Sequence, residues 1–115
     1  MRHIQQPRNS ELCGHACLAM LAGVSLDYAI TVIAHTKGTT TEQMIAAIRR
    51  AGLQCDDRLI RGQPYGRCLV KLNRPGRRSG DWHWVVYDCG TWHDPALEKA
   101  GQLSAGDATA FIRVY

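Results

Sequence analysis

Apolar residues in the first half of the chain recur at the three-to-four-residue spacing of helices. The run Cys13–Leu21 contains good helix formers and no β-branched residue, and Gly23 is placed to end it. Ser25 is a suitable N-cap for a second helix over roughly 26–34. A third helix is predicted within Gly38–Gly52, where capping-box spacing opens the segment and the last glycine closes it. The first half therefore predicts three helices.

The second half of the chain changes to the period of strands. Strands are predicted at Gln54–Ile60, Cys68–Asn73, Trp82–Asp88, Thr91–Asp94 and Phe111–Tyr115. The third of these is apolar on both faces, which indicates a position inside the sheet. Helices followed by an antiparallel sheet are an α+β order, in which the N-terminal helices pack on the C-terminal sheet. A length of 115 residues fits one domain, residues 1–115.

Composition indicates a globular protein of the cytosol. Hydrophobic residues make up 45% of the chain and charged residues 21%, and no apolar run approaches the roughly 18 residues of a membrane span. The N-terminal segment has no apolar signal core. Five cysteines are an odd number without the dense spacing of a disulfide scaffold, which indicates a reducing compartment. We therefore expect a cytoplasmic location and no membrane association.

Basic residues are concentrated in one stretch of this chain, whose formal net charge is +4. Seven of its 14 lysines and arginines fall where there is no acidic residue: Arg58, Arg61, Arg67, Lys71, Arg74, Arg77 and Arg78. The stretch from Arg58 to Arg78 could attract an acidic partner or substrate, although solvated loops and strand edges are the simpler interpretation. No aromatic-interleaved or helix-turn-helix pattern accompanies it, which argues against a nucleic-acid partner.

Cys13 is a candidate nucleophile because of its position on the predicted first helix. Unpaired amide groups in the first turn of a helix favour negative charge, so a thiol there ionises more readily. Gly14 beside it has no side chain, and we expect this to let a substrate backbone approach the sulfur. The alternative is that Cys13 is an ordinary buried cysteine of an amphipathic helix.

A nucleophilic thiol needs a base, and the base needs a group that orients it. His83 lies near the start of the predicted central strand, and Asp94 ends the next strand. A two-residue turn at Cys89-Gly90 would put Asp94 opposite Val85, on the same face as His83 and within side-chain reach. A three-residue loop would put the two side chains on opposite faces. The predicted site therefore requires that this hairpin has the register of the two-residue turn.

Five short segments follow one another along the chain in an order that can be compared with the motifs of known families. They are Gln6, Cys13-Gly-His-Ala-Cys-Leu-Ala-Met20, Gly38-Thr-Thr-Thr-Glu42, His83-Trp-Val-Val86 and Asp94-Pro95. Together they resemble the bacteriocin-processing peptidases that cleave double-glycine leaders, a family of papain-like cysteine peptidases. The resemblance spans nearly the whole chain and is more specific than any one segment. It implies a papain-like fold with the nucleophile at the start of the first helix.

The resemblance also implies a role for each site residue. Cys13 would be the nucleophile, His83 the general base and acid, and Asp94 the residue that orients the imidazole. Gln6 would stabilise the oxyanion together with the Cys13 amide; it stands seven residues before the cysteine, one more than is usual in the family, so Gln5 is kept as the alternative. The implied activity is cysteine-dependent hydrolysis of a peptide or isopeptide bond in a peptide or protein substrate, without a cofactor.

Two other functions are compatible with the sequence. One is a papain-like binding or inhibitor module that performs no catalysis and uses the basic surface. The other is a zinc site, for which the soft ligands would come from Cys13, His15, Cys17, His83, Cys89 and His93. No Cys-x-x-Cys pair occurs, and on one helix Cys13 and Cys17 would leave His15 pointing elsewhere, so we expect no metal.

Overall fold

The computed structural model describes residues 1–73, 82–104 and 107–115 of the chain. Its helices are α1 (Cys13–Ala22), α2 (Leu26–Ile33) and α3 (Thr41–Arg50). They precede five strands: β1 (Ile60–Arg61), β2 (Arg67–Asn73), β3 (Trp82–Asp88), β4 (Thr91–His93) and β5 (Asp107–Arg113). The strands form one antiparallel sheet in the order β1-β5-β2-β3-β4. The predicted α+β class is confirmed, and β3 lies inside the sheet as expected.

The helix ends follow from local chemistry. Gly23 ends α1 in the left-handed conformation, with φ 67°. The Ser25 hydroxyl accepts a hydrogen bond from the Tyr28 amide at 3.1 Å and so caps α2. At the start of α3, Thr40 and Gln43 each accept a hydrogen bond from the other's backbone amide, which is a complete capping box. By contrast, α1 has no side-chain cap, so its first amides are not bonded by an N-cap side chain.

Helix α1 is the centre of the hydrophobic core. Every residue from Gly14 to Leu21 is buried, because α2, α3 and β3 all pack against this helix. Cys17 is fully buried in the shared core, as a structural cysteine would be. A second, smaller cluster lies on the opposite face of the sheet and consists of Cys68, Val70, Leu72, Val85 and Phe111. The central helix is thus fixed on three sides, and its N-terminal residue is held in a defined place.

Two predicted strands differ from the structure. The segment Gln54–Ile60 is not a strand, apart from a single bridge between Cys55 and Val114; regular pairing begins only at Ile60. The reason is Asp56, whose carboxylate accepts a hydrogen bond from the backbone amide of residue 113 at 3.1 Å in place of a ladder bond. The last strand begins at Asp107, earlier than predicted, and ends at Arg113.

The predicted basic stretch is described only in its first part. Arg58 and Arg61 are exposed, while Arg67 lies 3.4 Å from the carboxylate of Asp88. The Lys71 ammonium lies 4.8 Å from the ring centroid of Trp82. Arg74, Arg77 and Arg78 fall outside the described residues.

In the part of the chain that is described, no single helix is long and apolar enough to cross a membrane. Helices α1 and α2 reach that length only when they are taken together, and they are bent by 112° at their junction.

Candidate active site

The β3–β4 hairpin has the register that the sequence predicts. Asp88 pairs with Thr91 and Val86 pairs with His93, so Cys89-Gly90 is a two-residue turn. Both turn residues have positive φ, 49° and 104°, as tight hairpin turns with two left-handed residues require. Continuing this register puts Asp94 opposite Val85, two residues from His83. The expected contact is present: His83 Nε2 lies 2.6 Å from Asp94 Oδ1.

Asp94 is a fully buried carboxylate with a complete set of hydrogen-bond donors. Oδ1 accepts from His83 and from the Ala96 amide at 2.9 Å. Oδ2 accepts from the Ser104 amide at 2.8 Å and from the Ser104 hydroxyl at 2.7 Å. Burial raises the pKa of Asp94, but the hydrogen bonds from His83 and Ser104 outweigh it and bring the pKa down to about 2. The carboxylate is therefore ionised over the whole physiological range.

Ser104 is a site residue that sequence reasoning missed. It lies ten residues after Asp94, in a loop without hydrophobic periodicity or a known motif. Only the folding back of this loop brings the hydroxyl onto the carboxylate. The sequence therefore held no local signal that could have identified it.

Cys13 is the first residue of α1 and is half-buried. Strand β4 pairs with β3 only from Val86 onward, so beside Trp84 the β3 edge faces the start of α1 instead. The thiol accepts hydrogen bonds there from the His83 side chain and from the backbone amides of Trp84 and Gly14. Burial raises the pKa of Cys13, but these donors, His83 first among them, outweigh it and hold the pKa below its ordinary value.

His83 connects the other two residues. Because Nε2 faces Asp94, Nδ1 is the ring nitrogen left for Cys13. Burial lowers the pKa of His83, but its contacts with Asp94 and Cys13 prevail and raise the pKa to about 8. A raised imidazole pKa and a lowered thiol pKa together favour a thiolate beside an imidazolium near neutral pH. The Asp94 carboxylate, held by its own hydrogen bonds, orients the His83 imidazole toward Cys13.

Gly14 does not have the role expected from the sequence. A Cβ atom at this position would lie 2.3 Å from Thr39 Oγ1, 2.9 Å from Met44 Sδ and 3.3 Å from Trp84 Cδ1. The missing side chain therefore makes room for the protein's own core and not for a substrate. The carbonyl of Thr39 accepts hydrogen bonds from the indoles of Trp82 and Trp84, at 3.1 and 3.0 Å. These bonds fix the loop before α3 against β3, next to the start of α1.

Gln6 is held beside the loop that follows Asp94. Its backbone amide donates to the Pro95 carbonyl at 2.8 Å, and its side-chain Nε2 donates to the Ser10 carbonyl at 3.0 Å. Its Oε1 is buried and has no partner among the described residues. Gln5 is exposed. The N-terminal arm is thus docked next to the hairpin at Gln6 and not at Gln5, and the Gln6 side-chain amide donates to both the carbonyl and the hydroxyl of Ser10.

Apart from Cys13 and His83, which contact each other, the ligands of the alternative zinc site lie in separate places. Across residues 1–73, 82–104 and 107–115, no group of three or more His, Cys, Asp or Glu side chains could hold a metal ion. Cys17 is in the core, and Cys89 is exposed in the hairpin turn. His15 Nε2 lies 2.6 Å from the His35 carbonyl, and His93 faces His3. The zinc hypothesis therefore has no cluster to support it in the described part of the chain.

Comparison with known proteins identifies no relative of this chain. It has no significant match among protein-family models, curated proteins or solved structures. The chemistry of the site follows from its geometry. A thiolate, an imidazolium and a buried carboxylate in sequence can attack an acyl carbon and then protonate the leaving group. Of the three residues Cys13 is the most exposed, so a substrate would meet it first.

Proposed function

We propose that this protein is a papain-like cysteine hydrolase that acts by acyl transfer on a peptide or isopeptide bond. The observation that supports it most is the linear set of contacts from Cys13 through His83 to Asp94, with 2.6 Å between imidazole and carboxylate. An ordinary buried cysteine would need neither the lowered thiol pKa nor a positioned imidazole. Placement of the thiol at an uncapped helix start adds to the same conclusion.

The proposed reaction begins with the Cys13 thiolate attacking the carbonyl carbon. The backbone amide of Cys13 would stabilise the oxyanion, as would the side-chain amide of Gln6 once it turns from Ser10, each contributing on the order of 3 kcal/mol. The His83 imidazolium then gives its proton to the leaving amine, and the C–N bond breaks to leave a thioester on Cys13. His83, now neutral, takes a proton from water, which attacks the thioester. The carboxylic acid is released, and the Cys13 thiolate beside the His83 imidazolium is regenerated.

The order of the site residues further supports a relationship to the bacteriocin-processing peptidases. In both, an arm glutamine, a cysteine at the start of the first helix, a strand histidine and an aspartate before proline follow one another. This order supports the proposal of a papain-like peptidase with a peptide or protein substrate. The exposed arginines Arg58 and Arg61 are available to an acidic segment of such a substrate.

The thiolate–imidazolium pair can be tested without a known substrate. Alkylation by iodoacetamide at pH 6.5, followed by peptide mapping, should show Cys13 reacting at least about tenfold faster than the exposed Cys89. His83→Ala should remove this advantage, because the thiol loses the donor that lowers its pKa. If Cys13 reacts no faster than Cys89, the catalytic proposal is wrong and a non-catalytic papain-like binding module becomes the better hypothesis.

Hydrolysis itself is tested by exposing a peptide library to wild type and to Cys13→Ala. Wild type should release new amino termini, and the variant should lose about 10⁴-fold or more of that activity. Asp94→Asn serves as an intermediate case, since it retains the thiol and imidazole but removes the charge that holds the imidazolium. Equal cleavage by wild type and Cys13→Ala would assign the activity to something other than this site.

A further inference from the structure

Among the described residues, Ser104 supplies half of the hydrogen bonds to the buried Asp94 carboxylate. Oδ1 is shared between His83 and the Ala96 amide, whereas both donors described for Oδ2 belong to Ser104. A buried carboxylate without donors is strongly disfavoured, so the bonds to Oδ2 determine how the group is held. They also determine its orientation, because fixing Oδ2 fixes the rotation that aims Oδ1 at the imidazole.

We propose that Ser104 is a positioning residue of the site, acting through Asp94 on His83. Its hydroxyl and amide hold one carboxylate oxygen so that the other meets His83 Nε2 at 2.6 Å. Its hydroxyl donates to the ionised carboxylate and so favours the charge that keeps the imidazole protonated. The site is then a row of four residues, Cys13, His83, Asp94 and Ser104. Its catalytic meaning rests on the proposed function, but its effect on His83 does not need a substrate.

The loop that carries Ser104 is itself anchored to the hairpin. The Leu97 amide donates to the Asp94 carbonyl at 3.0 Å, and the Gly101 amide donates to the Trp92 carbonyl at 2.7 Å. Leu103 packs against the second hydrophobic cluster. The loop is thus anchored at several points before Ser104. A residue that orients a carboxylate must itself be held in a fixed position, and these anchors provide that.

The test is Ser104→Ala, with two readouts that need no substrate. Removal of the hydroxyl should lower the pKa of His83, followed by NMR of its ring protons, from about 8 toward the ordinary value. Alkylation of Cys13 at pH 7 should become about tenfold slower because less of the thiol is ionised. Ser104→Thr keeps the hydroxyl and should restore both readouts to within about twofold of wild type. If Ser104→Ala does not fold, Ser104→Cys takes its place, since a thiol is a weaker donor and should shift both readouts in the same direction.

The matched control is Ser25→Ala, which removes a hydroxyl that caps α2 and has no bond to Asp94. It should leave both readouts at their wild-type values even if the protein is less stable. The proposal is overturned if Ser104→Ala leaves the His83 pKa and the Cys13 rate unchanged, or if Ser25→Ala changes them equally. A failed peptide-cleavage assay with a clear pKa shift in Ser104→Ala would refute the peptidase and retain Ser104 as a positioning residue. Cleavage by wild type, with no effect of Ser104→Ala on either readout, would support the peptidase and refute Ser104 as a positioning residue.

Discussion

The three central side chains differ in exposure, and this difference assigns the charges. Asp94 and His83 are almost completely buried, so each must have its partners inside the protein. Asp94 obtains four donors and stays negative, which stabilises a positive His83, which in turn stabilises a negative Cys13. Only the last of these charges lies where a substrate could reach it. The most buried group, Asp94, thus stabilises the charge of His83, and His83 stabilises the charge of the more exposed Cys13.

Gly14 is a position at which the addition of one methyl group should have a large effect on stability. Glycine to alanine inside a helix ordinarily stabilises a protein by about 1 kcal/mol. Here the added methyl group would lie 2.3 Å from Thr39 Oγ1 and 2.9 Å from Met44 Sδ, and Thr39 is fixed by two indole hydrogen bonds. We expect Gly14→Ala to lower the free energy of unfolding by about 1 to 3 kcal/mol, as overpacking does, measured by urea denaturation.

Gly38→Ala is the matched control for this prediction. A Cβ atom at Gly38 would meet only Glu11 Oε1, at 3.9 Å, which is an ordinary contact. Its effect on stability should stay within about 0.5 kcal/mol. A Gly14→Ala protein as stable as wild type would mean that the loop before α3 yields, and that Gly14 is not a packing requirement.

The site residues that sequence could predict are those linked by local geometry. Cys13 follows from a helix start, and His83 with Asp94 follows from the parity of one tight turn. Ser104 and Thr39 could not be found this way, since their partners are ten and about 45 residues distant and no pattern connects them. The role of Gly14 was misjudged for the same reason: the atoms that fill its space come from α3, its preceding loop and β3.

The N-terminal arm is an element whose contacts depend on pH. His3 Nε2 lies 2.7 Å from the Leu97 carbonyl, and His3 Nδ1 lies 3.2 Å from Nδ1 of His93. Burial lowers the pKa of His93, and the neighbouring His3 lowers it further. Because burial and His3 both disfavour a positive charge on His93, its protonation in acid should weaken the packing of the arm against this residue. The arm, with Gln6 on it, should be bound less tightly in acid.

The sign of this effect follows from the lowered pKa. As pH falls below about 6.5, the unfolded chain binds a proton at His93 before the folded protein does, so stability is lost with decreasing pH. His15, whose pKa burial also lowers, acts in the same direction. Thermal melts should show His93→Asn less stable than wild type at pH 7.5, with a smaller difference at pH 5. A difference that is the same at both values would show that the histidine pair does not sense pH.

The sequence predicts a strand correctly where its residues are buried and paired along their whole length. It fails where a side chain takes the place of a backbone hydrogen bond between strands. The bounds of β3 match the prediction because its residues are buried on both faces. Between Gln54 and Ile60 the Asp56 carboxylate accepts a hydrogen bond from the Arg113 amide, and a single bridge between Cys55 and Val114 stands in place of regular pairing. Whether an aspartate does this depends on the strand beside it, which its own sequence neighbourhood does not reveal.

At the scale of the whole molecule, the site is assembled from both halves of the chain. Cys13 belongs to the helical half, whereas His83, Asp94 and Ser104 belong to the half that forms the sheet. One core cluster joins them, since residues of all three helices pack with residues of β2, β3 and β5. The lowered pKa of the Cys13 thiol therefore exists only while helices and sheet are packed together.

This dependence predicts that Cys13 reactivity and secondary structure are lost in one transition. In a urea series at pH 6.5, the fast alkylation of Cys13 should disappear at the same midpoint as the far-ultraviolet circular dichroism signal. Cys17, which is fully buried, should become reactive at that midpoint, while the exposed Cys89 should react at a similar rate throughout and so serves as the internal control. Loss of the Cys13 advantage at a clearly lower urea concentration would show that the contact between α1 and β3 opens before the core does. The site would then be lost before the fold unfolds, which would contradict the prediction of a single transition.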